Sequence, residues 1–236
     1  MPGAVRSQTI ETPDGAAMGG HLVLPESGTG PGVVVLMEIF GVGPYIRAAC
    51  ERLAGAGYVA LAPDLYRRIE PGLELSHDEE GLNRAMETAQ RLDTDGVVED
   101  AVAALAALRE VPEVRGPVGV LGFCLGGTLA FGVAAAADPD AAVCYYGSGI
   151  AERLALADAI ECPTLFHFGG SDPFIAREDA ERICELAAWQ PGWECHIADD
   201  AGHAFDNHEA PMFHHPEAAR RAWQTTRAFL ARTLGS

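Results

Sequence analysis

The chain has 236 residues, a formal net charge of −18 at pH 7 and 48% hydrophobic residues. This acidic balance repels polyanions, so we expect neither nucleic acid nor a membrane surface as a partner. No apolar run approaches the roughly 18 residues that a membrane-spanning helix needs. Residues 1–20 are polar and glycine-rich and lack the pattern of a secretory signal. We therefore expect a soluble, cytoplasmic protein.

The six cysteines are scattered along the chain and form no Cys-x-x-Cys pair. This spacing is typical neither of a zinc site nor of a disulfide-stapled secreted domain. We expect reduced thiols, no metal and no cofactor. Five of the six are predicted to be small core side chains: Cys50, Cys144, Cys162, Cys184 and Cys195.

In chain order, residues 6–12 and 21–25 are predicted to form an antiparallel hairpin around the turn at 13–15. The remaining predicted strands are 32–37, 58–62, 118–121, 141–146, 164–169 and 194–197. The predicted helices are 45–54, 79–92, 95–109, 128–137, 176–189 and 216–234. This alternation indicates an α/β fold with a mostly parallel central sheet and helices on both faces. No repeat or linker divides the chain, so we predict a single domain over residues 1–236.

Residues 118–127 combine a buried strand with a small-residue turn. Gly122, Cys124 and Gly126 occupy the fixed positions of the nucleophile elbow G-x-S-x-G, with a thiol in place of the hydroxyl. Glycines suit both flanking positions because a Cβ there would crowd the turn. The N-terminus of the following helix should lower the pKa of the thiol. The alternative is an inert, buried cysteine in a common strand-to-helix turn.

Two later turns offer partners for this cysteine. Asp172 follows one predicted strand and His203 follows the next, so nucleophile, acid and histidine come in the order of the α/β-hydrolases. Asp64 also follows a strand, but it precedes the nucleophile and is predicted to be structural. The pattern predicts a triad of Cys124, Asp172 and His203. Backbone N–H groups of Leu125 and Ile39 are the expected oxyanion donors.

With these motifs, the sequence resembles the dienelactone hydrolase family of the α/β-hydrolase superfamily over nearly its whole length. The resemblance rests on residues 38–41, 63–66, 122–127, 145–147 and 202–205. It implies an enzyme that hydrolyses small carboxylic esters or lactones through an acyl-cysteine intermediate. We expect a monomer or a small homo-oligomer. A thioesterase, or a non-catalytic ligand-sensing or scaffold protein on the same fold, is the alternative.

Glu38 requires an account of its own, because a carboxylate beside the nucleophile opposes thiolate formation. The resemblance implies a gating role in which the glutamate holds the thiol until substrate binds. The alternative is a structural salt bridge from Glu38 to an arginine.

The substrate-binding residues are expected to include Phe40, which follows the same strand as Glu38. The resemblance implies that arginines of the family bind a substrate carboxylate and that one of them lies three residues beyond the catalytic histidine. This chain has Asp206 there, which would repel an anion, while Arg84 is a second candidate contact. The sequence therefore predicts a preference for neutral esters or lactones.

Overall fold

A computed structural model describes residues 3–235. Its strands are β1 (Val5–Glu11), β2 (Ala17–Val23), β3 (Gly30–Leu36), β4 (Val59–Pro63), β5 (Val114–Phe123), β6 (Ala142–Tyr145), β7 (Thr164–Gly169) and β8 (Trp193–Ala198). Its α-helices are α1 (Pro44–Ala54), α2 (Glu79–Ala89), α3 (Thr94–Arg109), α4 (Leu125–Ala137), α5 (Arg177–Ala187) and α6 (Pro216–Thr233). None of the helices within residues 3–235 is both long and apolar enough to cross a membrane.

The strands form one eight-stranded sheet in the order β1-β2-β4-β3-β5-β6-β7-β8. The β1–β2 hairpin joins its edge through an antiparallel β2–β4 pair, and the other strands run parallel. Val33, Val34 and Val35 have no exposed surface, as expected of a central strand covered on both faces. The predicted α/β fold, with a mostly parallel central sheet and helices on both faces, is confirmed.

One helical segment was not predicted. Residues Ala151–Ala159 form a 3₁₀ helix between β6 and β7. Only Ala157 of this segment is fully buried, and the segment therefore lacks the apolar stripe that identifies an amphipathic helix in a sequence. The segment carries Arg153 to the site described below.

The prediction of reduced thiols is wrong for two cysteines. Cys184 in α5 and Cys195 in β8 form a disulfide, with Cα atoms 5.1 Å apart. Their spacing in the sequence gave no sign of this, because only the packing of α5 against β8 brings them together. Cys50, Cys144 and Cys162 are free and buried, as predicted.

A buried ion cluster fixes α3 to the segment that follows β4. Asp100 has no exposed surface and accepts paired hydrogen bonds from two neighbouring arginines. Arg67 donates from Nε and Nη2 at 2.8 and 2.6 Å, and Arg68 donates from the same atoms at 2.9 and 3.0 Å. Asp14 pairs with the same two arginines from the exposed side, but Asp100 is their buried counter-charge, and its loss leaves the buried Arg67 without it.

Asp100→Asn should therefore lower the free energy of unfolding by about 3 kcal/mol. Chemical denaturation followed by circular dichroism measures this change. Glu99→Gln, at the exposed neighbouring position, is the control and should change stability by less than about 0.5 kcal/mol. Equal stabilities of the two variants would contradict a supporting role for the cluster.

Candidate active site

The turn between β5 and α4 places Cys124 at the carboxyl edge of the sheet. Its backbone has φ 53° and ψ −116°, a conformation that is costly for a residue with a side chain. A Cβ on Gly122 would lie 1.9 Å from the carbonyl oxygen of Gly126, and one on Gly126 would lie 2.2 Å from that of Leu36. Both flanking glycines are therefore sterically required, as the sequence predicted.

His203 and Asp172 meet Cys124 at this edge. The Nε2 atom of His203 lies 3.1 Å from the Cys124 sulfur, and Nδ1 lies 2.7 Å from Oδ2 of Asp172. The other oxygen of Asp172 accepts the backbone N–H of Phe174 at 2.8 Å. The structure thus brings together the three residues that the sequence proposed, at distances that permit proton transfer. Asp64 instead accepts the backbone N–H groups of Tyr66 and Gly72.

The environment of His203 favours its charged form. Burial lowers the pKa of the imidazole, but the hydrogen bonds that the ring donates to Asp172 and Cys124, together with the negative charge of these partners, outweigh burial and raise the pKa to about 10. Because the ring keeps its proton at neutral pH, it can stabilise negative charge on the adjacent sulfur.

A cavity of about 570 Å³ opens above the sulfur. Ile39, Phe40 and Leu125 line it together with Cys124 and His203. The residues predicted as oxyanion donors and the predicted substrate contact Phe40 therefore face one space. The cavity surface is mostly apolar, with contributions from Leu82, Met86, Ala89, Phe174, Ala210 and Phe213, and Glu152 adds a second carboxylate to that of Glu38.

Glu38 lies on the cavity wall and is 3% exposed. Its Oε2 accepts a hydrogen bond from Nδ2 of Asn207 at 2.6 Å, and the same amide donates to Nε2 of His77 at 3.0 Å. Its Oε1 is buried without a hydrogen-bond partner in the described part of the chain. No arginine within residues 3–235 pairs with Glu38, so the predicted alternative, a salt bridge to arginine, is wrong.

Sequence reasoning missed Asn207 and His77. Asn207 follows His203 by four residues, so the loop that carries the histidine was the signal that could have identified it. His77 lies in the polar stretch before α2, where nothing in the sequence points to Glu38.

Both charged residues predicted to meet the substrate lie elsewhere. Asp206 is 2% exposed and forms a paired salt bridge with Arg52, whose Nη atoms lie 2.7 and 3.1 Å away. The hydroxyl of Tyr45 also donates to Asp206 at 2.7 Å. Arg84 is exposed and pairs with Glu70. Neither Asp206 nor Arg84 is among the described residues that line the cavity, so these two predictions are wrong.

Local geometry explains both errors. The backbone after His203 directs Asp206 inward under α1 and turns Asn207 to the cavity. On α2, Leu82, Met86 and Ala89 share the cavity face at helical spacing, which turns Arg84 away from it.

Arg153 is the arginine on the cavity wall. It projects from the 3₁₀ helix, and its Nε is buried without a hydrogen-bond partner among residues 3–235. Within those residues it is the only arginine that lines the cavity. The cavity wall therefore carries one half-buried arginine whose Nε–H has no partner among the described residues.

Comparison with known proteins places this geometry in a family. The dienelactone hydrolase family model matches residues 18–234. A carboxymethylenebutenolidase of Pseudomonas sp. (strain P51) is 38% identical over 225 residues, which cover 95% of this chain and 94% of that protein. A second carboxymethylenebutenolidase, of Pseudomonas putida, is 37% identical over 198 residues, 84% of each chain.

A solved structure agrees with these relatives. A dienelactone hydrolase-like promiscuous phosphotriesterase from metagenomic libraries superposes with a TM-score of 0.81 at 26% identity, covering 99% of this chain and 100% of that one. The resemblance seen in the sequence motifs is confirmed, and the chain belongs to the dienelactone hydrolase family of α/β-hydrolases.

Proposed function

We propose that this protein hydrolyses small carboxylic esters or lactones through an acyl-enzyme formed on Cys124. The observation that supports this most strongly is the contact of 3.1 Å between the Cys124 sulfur and His203 on the floor of a mostly apolar cavity. The carboxymethylenebutenolidases among its relatives act on a lactone, which agrees with this reaction class.

In the proposed reaction the sulfur of Cys124 attacks the acyl carbon, and the carbonyl oxygen becomes an oxyanion. The backbone N–H groups of Ile39 and Leu125 stabilise this charge, and each such donor is typically worth ~2.7–4 kcal/mol. The bond from the acyl carbon to the leaving oxygen then breaks, and His203 donates a proton to that oxygen. Water, activated by His203, hydrolyses the thioester and restores the thiol. Asp172 holds the imidazole in the required tautomer.

Glu38 is proposed to gate the nucleophile. Its Oε1 has no hydrogen-bond partner among residues 3–235 and is an unused acceptor of a side chain that lines the same cavity as the thiol. In this structure Asn207 binds Oε2 of Glu38 while His203 binds the thiol. This arrangement corresponds to the released nucleophile.

Arg153 is proposed to bind an anionic group of the substrate. Arg153 is the only arginine among residues 3–235 that lines the cavity, and a carboxylate there would accept charge-assisted hydrogen bonds from its guanidinium. Carboxymethylenebutenolide, which the relatives' name specifies, carries such a carboxyl group. The proposed preference is therefore for anionic lactones. It is opposite to the preference for neutral esters or lactones that the sequence predicted from Asp206.

Cys124→Ala should abolish hydrolysis of p-nitrophenyl acetate while circular dichroism remains that of the wild type. Cys124→Ser should retain only weak activity, because a hydroxyl ionises at far higher pH than a thiol. Cys162→Ala, which removes a buried thiol outside the cavity, is the control and should retain activity. Near-normal activity of Cys124→Ala would rule out the nucleophile, and an inactive wild type would favour the scaffold alternative.

The pH dependence of kcat/KM should reflect the raised pKa of His203. The protonated ring donates to the leaving oxygen, so activity should persist through neutral pH and fall as the pH approaches about 10. Asp172→Asn removes an interaction that raises this pKa, so the alkaline limb should move to lower pH and kcat should fall by orders of magnitude.

Asp140→Asn is the matched control, because Asp140 also accepts a backbone N–H, that of Val118 in β5, but lies just before β6 and does not line the cavity. An alkaline limb that Asp172→Asn leaves in place would contradict the assigned acid.

Arg153→Gln should lower kcat/KM for a carboxylate-bearing lactone by roughly 10- to 100-fold, the range expected for a lost hydrogen bond to a charged group. The same variant should leave hydrolysis of a neutral ester nearly unchanged. Arg84→Gln, at an exposed position, is the control and should change neither. Equal losses on both substrates would show that Arg153 does not select for charge.

A further inference from the structure

The hydroxyl of Tyr66 lies beneath the loop that carries one proposed oxyanion donor. Tyr66 is the last residue of the motif at 63–66, to which the proposed reaction assigns no role. Its side chain has no exposed surface, and its hydroxyl donates to the carbonyl oxygen of Ile39 at 2.7 Å. The contact joins residues 27 positions apart in the sequence. The tyrosine therefore binds the backbone of the residue whose N–H would meet the substrate.

The loop after β3 needs such a support, because residues 37–40 belong to no helix or strand. An oxyanion donor is effective only when its N–H is already aimed at the developing charge. A displacement of about 1 Å at a reacting centre can cost about 100-fold in rate. A hydrogen bond to the carbonyl of Ile39 restricts the rotation of that residue and with it the direction of its N–H.

The far end of this loop is fixed independently. The backbone N–H of Leu75 donates to the carbonyl of Phe40 at 3.0 Å, and Gly41 forms an antiparallel bridge with Glu74. Gly41 has φ 82°, and a Cβ there would lie 1.9 Å from the carbonyl oxygen of Leu73. Segment 73–75 thus fixes the backbone of Phe40 and Gly41. The hydrogen bond from Tyr66 fixes the backbone of Ile39.

Asp64 shapes the turn that presents the tyrosine. Its Oδ1 accepts the backbone N–H of Tyr66 at 3.2 Å, and its Oδ2 accepts that of Gly72 at 2.6 Å. Both oxygens therefore serve the backbone of the turn. This explains in structural terms why a second aspartate follows a strand end without belonging to the triad.

Tyr66 is suited to be a neutral donor. Burial raises the pKa of its hydroxyl, and the nearby charge of Cys124 raises it further. The hydroxyl therefore keeps its proton at neutral pH and cannot act as a base toward the thiol.

We propose that Tyr66 is a positioning residue of the active site, which orients the backbone of Ile39 so that its N–H stabilises the oxyanion. This role rests on the proposed ester hydrolysis through Cys124. Tyr66 acts through the carbonyl of Ile39 and is not among the described residues that line the cavity. Its contribution should appear in the transition state, where the oxyanion exists, and not in the binding of the ground-state ester.

Tyr66→Phe tests this role because it removes the hydroxyl and keeps the ring. With p-nitrophenyl acetate, kcat should fall about 10-fold with KM nearly unchanged. Alkylation of Cys124 by iodoacetamide forms no oxyanion, so its rate and pH profile should equal those of the wild type. Tyr145→Phe is the matched control, because it removes another buried hydroxyl, bonded to Thr226 at 2.7 Å. It should lower the melting temperature similarly and leave kcat unchanged.

The outcomes separate the possible roles of the hydroxyl. An unchanged kcat in Tyr66→Phe, with an active wild type, would overturn the positioning role and leave the proposed function intact. If the rate of alkylation fell together with kcat, Tyr66 would act on the reactivity of the Cys124 thiol. A rise in KM alone would show that Tyr66 acts in substrate binding. Both results would also overturn the proposal. A wild type without esterase activity would overturn the proposed function and this role with it.

Discussion

The contact between Gly126 and the end of β3 is the constraint on which the site depends. A Cβ at this glycine would lie 2.2 Å from the carbonyl oxygen of Leu36 and 2.7 Å from that of Met37. Only glycine lets the first turn of α4 pack so closely against the strand end that continues into Glu38 and Ile39. The two residues of the proposed oxyanion donors thereby line the same cavity as Cys124. The parallel β3–β5 and β5–β6 pairs fix the ends of these strands, so the sheet supports the strained backbone of the cysteine.

A buried ion pair positions the third part of the site. Asp206 and Arg52 tie the loop after β8 to α1, and the guanidinium also lies 4.4 Å above the ring of Trp223 in α6. This loop carries His203 on one side of Asp206 and Asn207 on the other. Loss of Arg52 would leave the buried charge of Asp206 uncompensated, which is strongly unfavourable. Asp206, which the sequence predicted to meet the substrate, therefore anchors the loop that carries His203 and Asn207.

The sequence predicted the parts of this site that follow from chain order. Cys124, Asp172 and His203 each follow a strand, and parallel strands present their carboxyl ends at one edge, so their proximity could be anticipated. The direction in which a single side chain points could not be anticipated. Asp206 and Asn207 are neighbours, yet one is buried under α1 and the other faces the cavity. The pairing of Cys184 with Cys195 and the position of Arg153 likewise depend on how separate elements pack, which local periodicity does not encode.

The central claim is that Cys124 carries the acyl group during turnover, and trapping that intermediate tests it most directly. The protein would be mixed with an ester whose acyl-enzyme hydrolyses slowly, quenched in acid and analysed by intact-mass and peptide mass spectrometry. The account predicts a mass increase equal to one acyl group, located on the peptide that contains Cys124 and absent after prior alkylation of that thiol. Continued turnover with no adduct, or an adduct on another residue, would contradict it.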